Sequence, residues 1–243
     1  GYDFRRTTAE GDTIALNNIE SAGVKLVLRF AWGTGKLPAD YTDADRDLFF
    51  LKYPMVTFEM LSGMQGFLGG SYDHQSYKLK VEHQLRANKW GYLNIIAEAG
   101  MVSGQVPYPL LHTPEANPLL LNDNHAFNLM NYLEFASDEH ASLQLEHHFE
   151  GLLFNRIPLI RRLKLREFVL GKVFYGGLRN ENANGPYLLG SWQSALDRPY
   201  TEVGFGIENI LKIARVDFIW RLDHLGDDLV LPFIIKPSFY LRF

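Results

Sequence analysis

The chain has 243 residues, 47% hydrophobic and 14% aromatic, enough for one large domain with a substantial core. A formal charge of -4 offers nucleic acid no electrostatic hold. The absence of cysteine removes disulfides, thiolate metal sites and cysteine nucleophiles. No run of about 18 apolar residues exists, so no transmembrane helix is predicted. The opening, GYDFRRTTAEGDT, lacks the basic-then-apolar order of a signal peptide. It reads as a loop, with Gly1 an internal cut in a longer chain or the start of its ordered part.

The period is two almost throughout. In the first strand Ala22, Val24, Leu26, Leu28, Phe30 and Trp32 share one face, against Gly23, Lys25, Val27, Arg29 and Ala31. The alternation continues through Tyr77, Leu79, Val81, His83 and Leu85 against Ser76, Lys78, Lys80, Glu82 and Gln84. It recurs as Ala141, Leu143, Leu145, His147 and Phe149 against Ser142, Gln144, Glu146, His148 and Glu150, and as Val216, Phe218, Trp220 and Leu222 against Arg215, Asp217, Ile219 and Arg221. A pleated strand separates these sets, whereas a helix would mix them. About ten strands are predicted, near 21–33, 53–62, 75–85, 92–102, 127–136, 141–150, 166–177, 199–208, 214–223 and 231–243. Leu153–Leu165 is the one candidate for a short helix. No linker divides the chain, so residues 1–243 read as one domain.

Each strand carries one apolar face and one face with charges of both signs. A soluble sandwich turns the apolar face inward, and a transmembrane barrel turns it to lipid. Alternation alone does not choose between them. Three features favour the barrel. Strands of ten or more residues recur, and about 9–11 tilted residues cross the hydrocarbon. Aromatics gather at strand ends (Trp32, Tyr53, Tyr77, Trp90, Tyr92, Tyr200, Trp220, Tyr240 and Phe243), as interfacial girdles do. The chain stops in mid-strand on Phe243, as a strand needed to close a wall would.

The central run adds a resemblance. VPYPLLH (Val106–His112), Ala126–Glu167 and GFLGGSYDH (Gly66–His74), followed by the hairpin Tyr200–Leu222 and the strand Leu231–Phe243, resemble the barrel half of a Bacteroidetes outer-membrane family of unknown function. Its members carry an N-terminal carboxypeptidase-regulatory-like domain, which is absent here. The terminal hairpin, with Val203, Gly204, Phe205, Gly206 and then Arg215, Val216, Asp217, is more distantly similar to the closing strands of the outer-membrane assembly and translocation superfamily. The resemblance implies an all-β, antiparallel transmembrane outer-membrane barrel, with about ten strands in this chain and more possible upstream. It implies contact with outer-membrane lipid and lipopolysaccharide, and delivery by barrel-assembly machinery that reads the terminal Phe243.

Counting back from a periplasmic C-terminus places 34–52, 86–91, 137–140, 178–198 and 224–230 outside. Segments 63–74, 103–126, 151–165 and 209–213 fall inside. The long apolar segments 103–126 and 151–165 suit packing on themselves, folding into the barrel, or a partner.

Candidate chemistry is sparse. In EHHFE, His147 and His148 point to opposite faces, while Glu146, His148 and Glu150 share one and could hold a cation. A hydrogen-bond network is the preferred reading. No Gly-x-Ser-x-Gly elbow occurs, and Ser71, Asp73 and His74 are adjacent in sequence without the geometry of a triad. GTGK (Gly33–Lys36) lacks the phosphate-loop frame. The lumen-facing charges are Lys25, Arg29, Lys78, Lys80, Glu82, Glu98, Glu146, Glu150, Glu202, Arg215, Asp217, Arg221, Lys236 and Arg242. In poorly hydrated surroundings they must pair, with Arg215, Asp217 and Arg221 expected against Glu202 and Lys236.

The expectation is an outer-membrane barrel with no catalytic, cofactor or metal residues. Its role is structural or accessory in envelope biogenesis, secretion or uptake machinery, acting by partner binding. A transport or translocation pore, a barrel hydrolase and a soluble sandwich are the alternatives.

Overall fold

The computed structural model describes residues 4–8, 11–16, 18–32, 53–190, 192–226 and 229–239. Its strands are β1 (Arg5–Thr7), β2 (Thr13–Ala15), β3 (Gly23–Ala31), β4 (Met55–Gly63), β5 (His74–Arg86), β6 (Tyr92–Ser103), β7 (Glu139–His148), β8 (Arg166–Gly177), β9 (Tyr187–Leu188), β10 (Tyr200–Ile210), β11 (Ala214–Arg221) and β12 (Phe233–Phe239). Nine of them form one antiparallel meander in the order β3-β4-β5-β6-β7-β8-β10-β11-β12. A small sheet, β2-β1-β9, stands apart from it. The chain is thus all-β, with α1 (Asn180–Ala183) a single turn. No helix among the described residues is long and apolar enough to cross a membrane. In place of the predicted helix at Leu153–Leu165 there are two short 3-10 turns, Phe154–Arg156 and Ile160–Leu163.

The register confirms the separation of faces. β5 and β6 are matched from Gln75↔Ser103 to Arg86↔Tyr92, and β10 pairs β11 with Glu202↔Arg221 and Gly206↔Asp217. On the charged face Glu202 and Asp217 are 0% exposed and Arg221 2%. On the apolar face Leu28 is 42% and Leu79 45% exposed. From β4 to β12 the ionic side is therefore the covered one, the reverse of a soluble sandwich, while the edge strand β3 is exposed on both faces. Rings meet across the apolar face of β10, β11 and β12, with Phe205 and Phe218 stacked at 5.0 Å and Trp220 and Phe233 tilted at 4.7 Å.

Two expectations about the strands are corrected. Residues 127–136 do not cross as a strand. Apart from isolated bridges at Phe127 and Phe135 they are bends and turns laid over the charged face, and Leu133 takes a left-handed φ of 58° that no strand tolerates. Phe127, Asn128, Leu129 and Met130 are buried in succession, so burial there does not alternate. Losing this crossing flips every earlier connection. Segments 64–73 and 104–138 lie at the same end of the sheet as 178–199 and 222–232, and 87–91 lies with 149–165 and 211–213. Contacts agree: Asn182 Oδ1 accepts from Val106 N at 3.1 Å at one end, and His147 Nε2 meets the Trp90 carbonyl at 3.0 Å at the other. β3 ends and β4 begins at that second end, while most of the connection between them (33–52) lies outside the described residues.

The second correction concerns closure. Among the described residues β3 and β12 are edges that do not pair with each other, and the sheet is open. β12, expected to seal the wall, pairs with β11 on one flank. On the other, Asn122 N donates to the Pro237 carbonyl at 3.0 Å. Tyr240, Arg242 and Phe243 lie outside the described residues.

Candidate functional site

The covered face gains its lid from residues 104–138, which run from the end of β6 to the start of β7. Such an irregular segment leaves many backbone N–H and C=O groups without ladder partners, and burial makes each an obligation. The charges of the sheet meet that obligation. Glu202 accepts from Asn128 N at 3.0 Å and Leu129 N at 2.7 Å, and Tyr200 Oη donates to it at 2.7 Å. Lys172 Nζ donates to the carbonyls of Asn124 at 2.9 Å and Ala126 at 2.5 Å. Lys236 Nζ donates to the Asn117 carbonyl at 2.6 Å. Arg221 forms a two-pronged pair with Glu134 at 2.6 and 3.0 Å and reaches the Leu129 carbonyl at 3.2 Å. Charge-assisted bonds of this kind are the strong class.

The predicted pairing of sheet charges with one another is therefore corrected in part. Glu202 and Lys236 bond to the inward-folded segment, and Arg221 divides its bonds between that segment and the carbonyls of Asp223 and His224. Arg215 does pair within the sheet, at 2.7 Å to Asp217 and 2.6 Å to Glu146, with its guanidinium 3.8 Å over the Phe168 ring. Apolar anchors complete the seat. Phe127, Met130 and Phe135 pack with Phe174, Leu196 and Tyr200, and Leu129 packs with Phe168, Leu170 and Ile219. Tyr200, expected in an interfacial girdle, is 0% exposed and belongs to this core. Tyr92 also turns inward and stacks on His148 at 4.4 Å, while Trp32, Tyr53, Trp90 and Trp220 are exposed.

The residues singled out for metal or catalysis fare differently from one another. His148 Nε2 sits 2.6 Å from Glu146 Oε1 and its Nδ1 3.2 Å from Glu208 Oε2. Arg215 occupies both oxygens of Glu146, so that carboxylate already serves a cation. Glu150 turns away at a φ of 53° to lie 3.7 Å from Arg166, outside the cluster. Ser71 and Asp73 line an open cleft of about 520 Å³ with Arg6, Gln65, Tyr72 and Tyr187. Asp73 Oδ1 accepts from Gln65 N at 2.7 Å. His74 points into the covered face, and neither of its buried ring nitrogens has a hydrogen-bond partner. These three residues form no relay. Gly33–Lys36 lie outside the described residues.

Sequence reasoning missed a different trio. Glu98 of β6, His140 of β7 and His112 of the inward-folded segment bring their ligand atoms within 4.8 Å of one another. Glu98 Oε1 and His140 Nε2 are 3.3 Å apart, and the rings of His112 and His140 stack with centroids at 3.4 Å. Burial first, and the neighbouring His140 second, push the His112 pKa down to about 3 and keep that imidazole neutral. The wall contributes room: Gly100 lies opposite His140 in the register, and a Cβ there would come 2.6 Å from the ring.

An antiparallel meander with its charges covered by its own chain and its apolar rings exposed defines a β-domain of inverted polarity. Residues 19–188 match the C-terminal domain of a family of unknown function, DUF5686, and the chain belongs to that family. No curated protein matches the sequence.

Proposed function

We propose that this chain is part of a β-barrel of the bacterial outer membrane, from a Gram-negative organism of the Bacteroidetes. In the longer protein a carboxypeptidase-regulatory-like domain precedes it. Its lumen is filled by residues 104–138. Its role is structural or accessory within envelope biogenesis, secretion or uptake machinery, exercised through partner binding and not through chemistry. The observation that carries this reading is the inverted polarity: long strands expose their apolar face and cover their charges. Five strands of ten to thirteen residues, β5, β6, β7, β8 and β10, have the length a tilted crossing requires. An exposed apolar belt of this extent is foreign to a free monomer in water.

The filled interior supports the accessory role over a wide pore, because the charged face that would line a channel is bonded to the segment covering it. Exposed leucines in the covering segment support a protein partner. Leu119 is 69% and Leu120 70% exposed, close in sequence to Asn122, whose N–H bonds the Pro237 carbonyl of β12. The lipid partner is the outer membrane with its lipopolysaccharide. Delivery by barrel-assembly machinery is proposed to use the C-terminal stretch of the chain that includes Phe243.

Native purification of the full protein in mild detergent tests the reading. The expected result is heat-modifiable migration on a gel, co-purification of envelope proteins and little conductance in planar bilayers. Solubility without detergent, or large open channels from the wild-type protein, would overturn it.

A further inference from the structure

The structure assigns a divalent transition-metal site to Glu98, His112 and His140, which tethers the inward-folded segment to the sheet. Two imidazoles and a carboxylate are the donor set that zinc takes with three protein ligands, leaving a fourth position for water. Donors around one tetrahedral zinc lie about 3.3 Å apart, given metal–ligand bonds of about 2.0–2.1 Å. Glu98 Oε1 and His140 Nε2 already stand at 3.3 Å. His112 must swing its ring out of the parallel stack and close the remaining distance. Its backbone is pinned by reciprocal bonds with Ser137 at 2.9 Å each, so the side chain moves on a fixed base.

His140 is 8% exposed, which shields an ion held at its Nε2 from bulk solvent. Lys78 does not block the site: its Nζ lies 3.8 Å from Oε2 of Glu98, the oxygen that does not face His140, and 4.0 Å from Glu59 Oε2, which Lys25 also approaches at 2.9 Å. The three ligands sit on β6, β7 and the covering segment, so an ion there joins elements that otherwise meet through noncovalent packing. None of this depends on the membrane reading.

The test is titration of Zn²⁺ into chelator-treated full chain, purified without a polyhistidine tag, by calorimetry. Co²⁺ substitution reports coordination geometry through its visible absorption. One equivalent is expected to bind, with intense tetrahedral Co²⁺ bands. His112→Ala and Glu98→Gln should each weaken binding at least 10-fold, while His147→Ala, on the apolar face, should bind as wild type. Gly100→Ala, which displaces the His140 ring without removing a ligand, should weaken binding too. Thermal melts of the metal-free variants separate lost ligation from lost folding. Protease cleavage within 117–132 should slow on adding Zn²⁺ to wild type and not to His112→Ala. No binding by wild type, or equal binding by His112→Ala and Glu98→Gln in folded protein, would overturn the assignment.

Discussion

Arg221 of β11 grips Glu134 of the covering segment through two parallel bonds of 2.6 and 3.0 Å, although its register partner across the sheet is Glu202. The guanidinium is the hinge pin between sheet and lid, and it lies 4.7 Å over the Tyr200 ring. Arg221→Ala leaves Glu134 without its partner in a poorly hydrated place. Breaking such a pair costs about 3–5 kcal/mol where both groups are buried. Glu134 retains 14% side-chain exposure, so the lower end of that range is expected. Urea unfolding in detergent measures it, and protease sensitivity near Leu119–Leu121 should rise in parallel.

Glu202 is the anchor for the backbone of Asn128 and Leu129. In Glu202→Gln the amide must turn one N–H₂ toward a donor, so a charge-assisted bond is lost while shape is kept. A loss of about 1.5–3 kcal/mol is expected, the range for hydrogen bonds to charged groups. Hydrogen exchange should locate the effect at the Asn128 and Leu129 amides. Uniform exchange across the sheet would contradict the anchoring role.

Two glycines in neighbouring strands should respond unequally to the same change. A Cβ on Gly206 would come 2.1 Å from Cζ of Phe168, a ring 1% exposed beneath Arg215. Gly171 has nothing within 4 Å of its Cβ position. Gly206→Ala is expected to destabilise by about 1–3 kcal/mol through overpacking. Gly171→Ala should be within about 0.5 kcal/mol of wild type, as surface changes usually are.

The proposed lipid face has its own test. Leu145→Arg should cost about 2–4 kcal/mol in lipid vesicles if the side chain meets hydrocarbon near mid-depth. Position 144, on the opposite face, is no control for it. Gln144 is 9% exposed, and its Nε2 donates to the His125 carbonyl at 2.8 Å beneath the lid. Gln84→Arg on the charged face of β5 is the proper comparison, with a cost below about 1 kcal/mol. Equal costs for Leu145→Arg and Gln84→Arg would contradict the face assignment.

Nine strands and the two faces were legible in the sequence because a period of two is a local property: each residue's side is set by its neighbours two places away. The run Arg215, Asp217, Ile219, Arg221 against Val216, Phe218, Trp220 is readable without knowing what pairs with it. Phe127–Ala136 misled the same rule, since an apolar-rich stretch can also bury itself irregularly. Asn128 is a weak local mark of that choice, whereas the left-handed φ of Leu133 is visible only in the structure. One strand too many then inverted the ends assigned to every connection before it.

What only the tertiary structure decided is where charge and segment meet. Glu98, His112 and His140 are separated along the chain by connections whose path no local pattern encodes. They converge because β6 pairs β7 in one register while the 35-residue excursion between them folds back over the sheet. The same holds for Glu202, Lys172, Lys236 and Arg221. Their alternation announced a shared face, but the partners are backbone groups of a segment without periodicity, and such partners follow from packing, not from spacing.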